Sequence, residues 1–326
     1  MIQALVVCGD NMNVKLYNLV LSTDFFSFRE FVVSSHNQSN RVMKNRLFTL
    51  LVVAAFALQV NGQTTEDSLA IVNAQWETTL GEDGIVHKRA IVPMLYHGSQ
   101  HINYVEIPRS RKFVFGVGSP GGMKRTSDIA QAQKALAAIN GSYYNMKVGN
   151  SVCFLKVGKE VVDTTSTSEF KLRVTGAVHV NKRKVRLLPW DVETEHAYKG
   201  RKGTVLASGP LLLKDGNLCS WDNCGEKFIT SKHPRSALYM TPKSVVFITV
   251  DGRSPGNAVG VNIPELTHLI KVLGGTDAIN LDGGGSTTLW MSKDDEGRVL
   301  NCPSDNKKFD HEGERSVSNA FFVRKR

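Results

Sequence analysis

From about residue 85 onward, short apolar runs alternate with turn-forming residues, the pattern of a strand-rich fold. Segments 85–96, 102–107 and 112–117 are rich in Val, Ile and Phe, and each reads as a strand. Segment 126–139 departs from this. Ile129, Ala132, Leu136 and Ala137 recur at helical spacing there, behind Thr126 and Ser127, which predicts a helix capped by one of those hydroxyls. Hairpins are expected again over 151–205, with a turn at 156–159. Ser244–Val250 is apolar throughout, as in a strand covered on both faces. It is expected to form a hairpin with 236–240 through the turn Thr241-Pro242-Lys243. A helix then begins at Ile263-Pro264-Glu265, where a proline in the first turn loses no hydrogen bond. Leu266, Leu269, Ile270 and Leu273 form its apolar stripe, and Gly274-Gly275 ends it. The next strand is 278–281, so strand, helix and strand follow one another as in a parallel, right-handed unit. The expected class is α+β: a mixed, strand-rich sheet, a strand–helix–strand unit in the C-terminal third, and few helices.

Residues 1–62 follow a different rule. Lys44 and Arg46 precede an apolar stretch over 47–60, and Val60-Asn61-Gly62 supplies small residues before Gln63. Basic, then apolar, then small is the order of a secretory signal peptide. The expected organisation is an upstream extension at 1–42, a signal peptide at 43–62, a polar lead-in at 63–84 with a short helix around 69–76, and one domain over 85–326. The apolar stretch is short for a membrane span, so none is expected in the mature chain. The protein is expected to be exported, to a periplasm or the extracellular space. Beyond the leader, Cys153, Cys219, Cys224 and Cys302 form an even set compatible with disulfides, with Cys219–Cys224 and Cys153–Cys302 the pairings to test. A single CxxxxC pair is poor evidence for zinc, and His97, His101, His179, His268 and His311 show no ligand spacing, so no metal site is expected.

A chain that is 41% hydrophobic and 21% charged excludes collagen-like, disordered and coiled-coil readings. Its net charge of +10 favours anionic partners. Much of that charge lies at 179–186 and 199–202, simplest read as solvated hairpin faces. No aromatic platform accompanies it, so nucleic acid is not an expected partner.

The chemistry concentrates in the last third. Asp251 and Asp282 close the two strands of the strand–helix–strand unit. As neighbours, those strands would deliver both carboxylates to one edge, where α/β sheets place their ligand crevice. A carboxylate pair serves glycosidic hydrolysis or metal-assisted hydrolysis, although Asp-Gly is also a common turn. Gly283-Gly284-Gly285-Ser286 is the most specific segment: glycines let backbone amides converge on an anion. His233-Pro234-Arg235 and Asp251-Gly252-Arg253 bring Arg235 and Arg253 to the open end of one hairpin, suited to a phosphate or to an ion pair with Asp251. Asn140-Gly141-Ser142-Tyr143-Tyr144 offers an amide and rings for a sugar, and Asn140 heads a glycosylation sequon. Asn319 adds a polar group before a closing strand.

Taken together, Asn140-Gly141, Ser208-Gly-Pro210, His233-Pro-Arg235, Val250-Asp-Gly-Arg253, Asn280-Leu-Asp-Gly-Gly-Gly-Ser-Thr287 and Glu314-Arg-Ser-Val-Ser-Asn319 resemble the phosphodiester glycosidase family, from about 113 to 322. Ser142-Tyr143 and the insertion 306–312 depart from the family pattern, at the expected rim of the substrate site. The resemblance implies hydrolysis of a sugar-1-phosphodiester, in a glycan or a small molecule, at the anomeric C–O bond. Asp251 and Asp282 would share oxocarbenium stabilisation with activation of water or direct attack. Arg235, Arg253 and Gly283–Ser286 would hold the departing phosphate, Asn140 would orient sugar or water, and His233 and Asn319 would line the substrate. No cofactor is required on this reading. The rivals are a metal-dependent phosphodiesterase holding a divalent cation between the two acids, and a secreted glycan-binding module without catalysis.

Overall fold

The computed structural model describes residues 2–8, 14–22 and 25–33 as backbone, and 64–181, 184–200, 202–293 and 297–326 in full. The expected signal peptide, 43–62, lies outside the described residues. Met1–Gly62 and Gln63–Arg326 are separate compact units. In the first, Ile2–Cys8, Val14–Ser22 and Phe25–Val33 form an antiparallel three-stranded sheet.

Three large sheets and a two-stranded one, Lys124–Arg125 with Ser316–Val317, build the described residues of the second unit. The largest has eight strands in the order Asn217–Leu218, Leu211–Lys214, Asp277–Asn280, Arg235–Met240, Ser244–Val250, Gly98–Pro108, Val86–Leu95 and Glu77–Leu80. A five-stranded sheet contains Leu289–Met291, Ala137–Asn140, Ala320–Lys325 and Phe113–Gly118, with Arg298–Val299 at its edge. A second has Leu155–Val157, Thr204–Ser208 and Gly176–Asn181 inside and Glu160–Asp163 and Lys184–Pro189 outside. All three meet in one core, where Leu238, Phe247, Ile279 and Leu281 pack with Phe113, Ile139, Phe321, Val178 and Leu206. The other face of the eight-stranded sheet is covered by helices Thr65–Val72 and Ile263–Val272, whose Ile71, Leu266, Leu269 and Ile270 pack on Tyr239, Ile248, Val250 and Ala278. Ser244–Val250 is therefore buried at every position, with Val245 and Phe247 entering one core and Val246, Ile248 and Val250 the other. Each such buried side chain contributes roughly 1.5–3 kcal/mol. The fold is α+β, with strands dominating the described residues.

The helix Ile263–Val272 follows its local signals. Asn262 Oδ1 accepts from Glu265 N at 2.8 Å and Glu265 Oε2 accepts from Asn262 N at 3.0 Å, while Gly274 takes a φ of 85° just past the end.

Tertiary pairing changes four expectations. The strands Ser244–Val250 and Asp277–Asn280 run parallel but are not neighbours, because Arg235–Met240 pairs antiparallel with both and lies between them. The helix expected over 126–139 stops at Ala132, and Ala137–Asn140 is instead a strand between Leu289–Met291 and Ala320–Lys325. Its N-cap is Arg125, without a side-chain cap bond. The polar lead-in belongs to the fold: Ile71 is buried, Asp67 Oδ1 accepts from Tyr96 N at 3.0 Å, and Glu77–Leu80 is the edge strand. Cys153, Cys219, Cys224 and Cys302 are all free thiols, so neither candidate disulfide is present.

Candidate active site

Strand register decides which side chains can meet. Arg235 stands opposite Val250, and Ala237 opposite Asn280. Opposed residues share a face and successive residues alternate. Arg235, Asn280 and Asp282 therefore lie on one face of the sheet, and Asp251 on the other.

Asp251 is 1% exposed. Its Oδ1 accepts from Asn301 Nδ2 at 3.0 Å, and Cys302 N donates to both carboxyl oxygens at 3.1 Å. Asn301 also donates to Thr287 O at 3.0 Å and accepts from Leu289 N at 2.7 Å. Asp251 thus pins the chain that returns from the glycine loop. Burial pushes its carboxyl up to about 7, against the opposing pull of Asn301 and the Cys302 amide. The structure does not bring Asp251 into a pocket with Asp282.

Asp282 is only partly covered. Its Oδ1 accepts from Gly283 N at 2.9 Å, and Asn140 Nδ2 fixes its carbonyl at 2.7 Å. Burial raises the carboxyl above its ordinary range, while the Ser286 hydroxyl, Arg173, the Gly283 amide and Arg315 oppose that rise. The surrounding charge comes from arginines. Arg173 is held by Glu169 at 2.7 Å and lies 3.6 Å over the Tyr143 ring. Tyr143 in turn donates to Gly209 O at 2.5 Å. Arg315 is paired with Asp305. Arg253, with a φ of 58°, places Nη2 3.5 Å from His233 Nδ1. Burial, followed by Arg235 and Arg253, holds His233 below the usual imidazole range.

The glycine loop works differently from the expected amide cradle. Gly283 N is used by Asp282, Gly284 N donates to Pro234 O at 2.8 Å, and Ser286 N and Thr287 N donate back into the loop at 3.2 Å. What the glycines supply is room. A Cβ on Gly284, whose φ is 62°, would stand 2.9 Å from Arg253 Nη2, and one on Gly285 would collide with Arg315 and Asp305. The loop thus leaves room for the Arg253 and Arg315 guanidiniums.

Residues 133–324 match the model of the phosphodiester glycosidase family. The chain belongs to that family. Among solved structures, a hypothetical protein from Synechocystis superposes with a TM-score of 0.58 at 14% identity, covering 99% of this chain and 76% of that one. The zebrafish N-acetylglucosamine-1-phosphodiester alpha-N-acetylglucosaminidase catalytic domain, auto-inhibited by its pro-peptide, gives 0.54 at 18% identity, covering 78% and 83%. At such identities the likeness is one of fold. No curated protein matches the chain.

In this family member the expected site residues divide into two groups. Asp282, Arg253, His233 and Gly283–Ser286 gather around the Asp282 carboxylate or its loop. Asn140, Asn319, Arg235 and Asp251 are buried and spent on the frame. Asn140 is 0% exposed; besides holding Asp282 it accepts from Ser236 Oγ at 2.6 Å and from Thr288 N at 3.1 Å. That burial also closes its sequon to a glycan. Asn319 accepts from Ser142 N at 2.9 Å and leaves no space for a Cβ on Gly141. Arg235 donates to the carbonyls of Val261, Phe228 and Ser231 at 3.1, 3.0 and 2.9 Å. Its burial lowers it to about 10, yet its charge is felt at Asp282. Arg173 and Arg315 are not among the expected site residues, and Tyr143, expected to offer a ring to a sugar, is buried beneath Arg173. Arg315 stands inside the Glu314–Asn319 motif, whereas nothing in the sequence around Arg173 marks it except Glu169 four residues before.

Among the described residues no three His, Cys, Asp or Glu side chains are grouped to hold a metal. Asp251 and Asp282, on opposite faces, do not form a shared site for one. Two open cavities of about 610 and 700 Å³ are lined by other residues than Asp282 and its loop.

Proposed function

We propose that this protein hydrolyses a sugar-1-phosphodiester at the anomeric C–O bond, releasing a free sugar and a phosphomonoester. The observation that carries this reading is a single partly exposed carboxylate, Asp282, under the charge of Arg173, Arg235 and Arg315, with Arg253 against its glycine loop. A phosphate leaving group is already acidic and needs little general-acid help, so one carboxylate beside several guanidiniums suffices. The arginines neutralise the departing anion in a site of reduced water content. Asp282 meets the positive charge that develops at the anomeric carbon and takes the proton of the attacking water. The new C–O bond forms to water oxygen, and the old bridging oxygen leaves with phosphorus. Asp251 holds the loop from behind and takes no part in bond changes. The first substrate class to test is the one in the zebrafish structure's name, N-acetylglucosamine-1-phosphodiesters. Export through cleavage after residue 62 is part of the same proposal, checked by sequencing the N-terminus of the secreted protein.

Hydrolysis in water enriched in heavy oxygen tests the bond assignment. Label in the sugar hydroxyl is expected. Label in the phosphate would mean P–O cleavage and overturn the reading, and tight binding without turnover across phosphodiester glycans would leave only a binding module.

A further inference from the structure

The open cavity of about 700 Å³ lies at the other end of the strands that carry the Asp282 site. Its wall includes Met240 and Val245, on either side of the turn joining Arg235–Met240 to Ser244–Val250, and Asp277 at the start of Asp277–Asn280. Met240 is five residues beyond Arg235, about 17 Å along an extended strand, so the cavity is separate from the arginines around Asp282.

Its rim is strongly basic. Arg109, Arg111, Lys184 and Arg186 are exposed around it and, among the described residues, belong to no ion pair. The two acids in the wall, Asp215 and Asp277, are both taken by Lys214, at 3.0 and 2.7 Å. With five basic and two acidic side chains, the lining keeps a net charge of +3. Lys184 and Arg186 lie on an edge strand, where charge deters pairing with other chains. That reason does not extend to Arg109 and Arg111. They come from the loop after Gly98–Pro108, which Arg109 N fastens to Lys243 O at 2.9 Å, and they converge on the same cavity.

The chemistry narrows the ligand. The volume falls within the roughly 300–1,000 Å³ of small-ligand sites, and forked guanidiniums match oxyanions. Phe115, the aromatic side chain in the wall, is 6% exposed and offers no face for a stacked base. None of the exposed large hydrophobic residues lines the cavity, so no wedge for a lipid surface is present. We propose that this cavity binds a saccharide bearing several sulfate or phosphate groups, at a site distinct from Asp282. Binding is read without turnover, so the inference stands or falls apart from the hydrolytic reading.

The test titrates the full chain with a fluorescent sulfated hexasaccharide and, separately, with its phosphorylated counterpart, at low and physiological salt. Saturable binding that weakens with salt is expected, and the tighter of the two names the preferred oxyanion. Arg111→Ser with Arg186→Ser should weaken it roughly tenfold or more. Lys159→Ser with Lys271→Ser removes the same charge from exposed positions elsewhere and should change it less than about twofold. All four residues are exposed, so folding, followed by circular dichroism, is expected to be unaffected. Equal weakening by both pairs would reduce the effect to net charge and overturn the site. So would failure of both saccharides to bind, or equal binding of single-stranded DNA or anionic vesicles matched in charge.

Discussion

At Asp251 and Asp282, two residues of one type preceding a glycine have been given opposite work by their surroundings. Asp282→Asn removes the group that meets the anomeric centre, and turnover should fall by about 10²–10⁴-fold. Burial raises the Asp282 carboxyl, so a neutral isostere should leave the melting temperature unchanged or higher. Activity assays beside thermal unfolding check both halves. Asp251→Asn should behave differently. The folded carboxyl titrates at about 7 and the unfolded one near 3.8, so the folded protein keeps a proton that the unfolded chain loses between those values. Stability from this group is therefore complete below about pH 4 and is lost as pH rises toward 7, with a slope of up to about 1.4 kcal/mol per unit. The Asn variant lacks that slope. Denaturant unfolding from pH 4 to 8 should show the wild type losing stability relative to Asp251→Asn across that window, and a constant difference would contradict the assignment.

Among the elements, the loop Gly283–Ser286 and the strand Arg235–Met240 do most to shape the site. Gly284 sits at a φ of 62° beneath Arg253, and Gly285 against Arg315 and Asp305. Gly284→Ala should cost about 1–2 kcal/mol from its left-handed backbone alone. It should also lower kcat/KM by displacing Arg253. Gly285→Ala should displace Arg315 with similar consequence, while a change at Gly216, where a Cβ meets nothing, should leave activity intact. Stability and steady-state kinetics on the three variants separate strain from loss of the arginine ring. The strand matters through its position. By pairing with both Ser244–Val250 and Asp277–Asn280 it sets their ends about 10 Å apart, which rules out a close carboxylate pair even before the faces are considered.

For the whole molecule, the unit Gln63–Arg326 is expected to fold without the residues before it, whereas a chain beginning at residue 85 should be destabilised. That cut removes Glu77–Leu80 from the sheet edge and Ile71 from the core, the latter alone worth about 2 kcal/mol. Thermal unfolding of the two truncations decides it. Composition, the hairpin 236–250, the helix at 263 and the family motifs could be read directly, because periodicity, capping and turn chemistry act over a few residues. The helix expected over 126–139 failed where a sheet claimed Ala137–Asn140, since pairing with remote strands outweighs a short local period. The site was legible at Asp282 and the three glycines, which follow it directly in sequence, and at Arg253, which stands beside its own Asp-Gly motif. Arg173 and Arg315 reach the carboxylate from distant segments, and the face assigned to Asp251 depends on a register and an intervening strand. Residue order carries propensities and motifs; which carboxylate faces the arginines, and which braces the loop behind them, follows from long-range strand pairing.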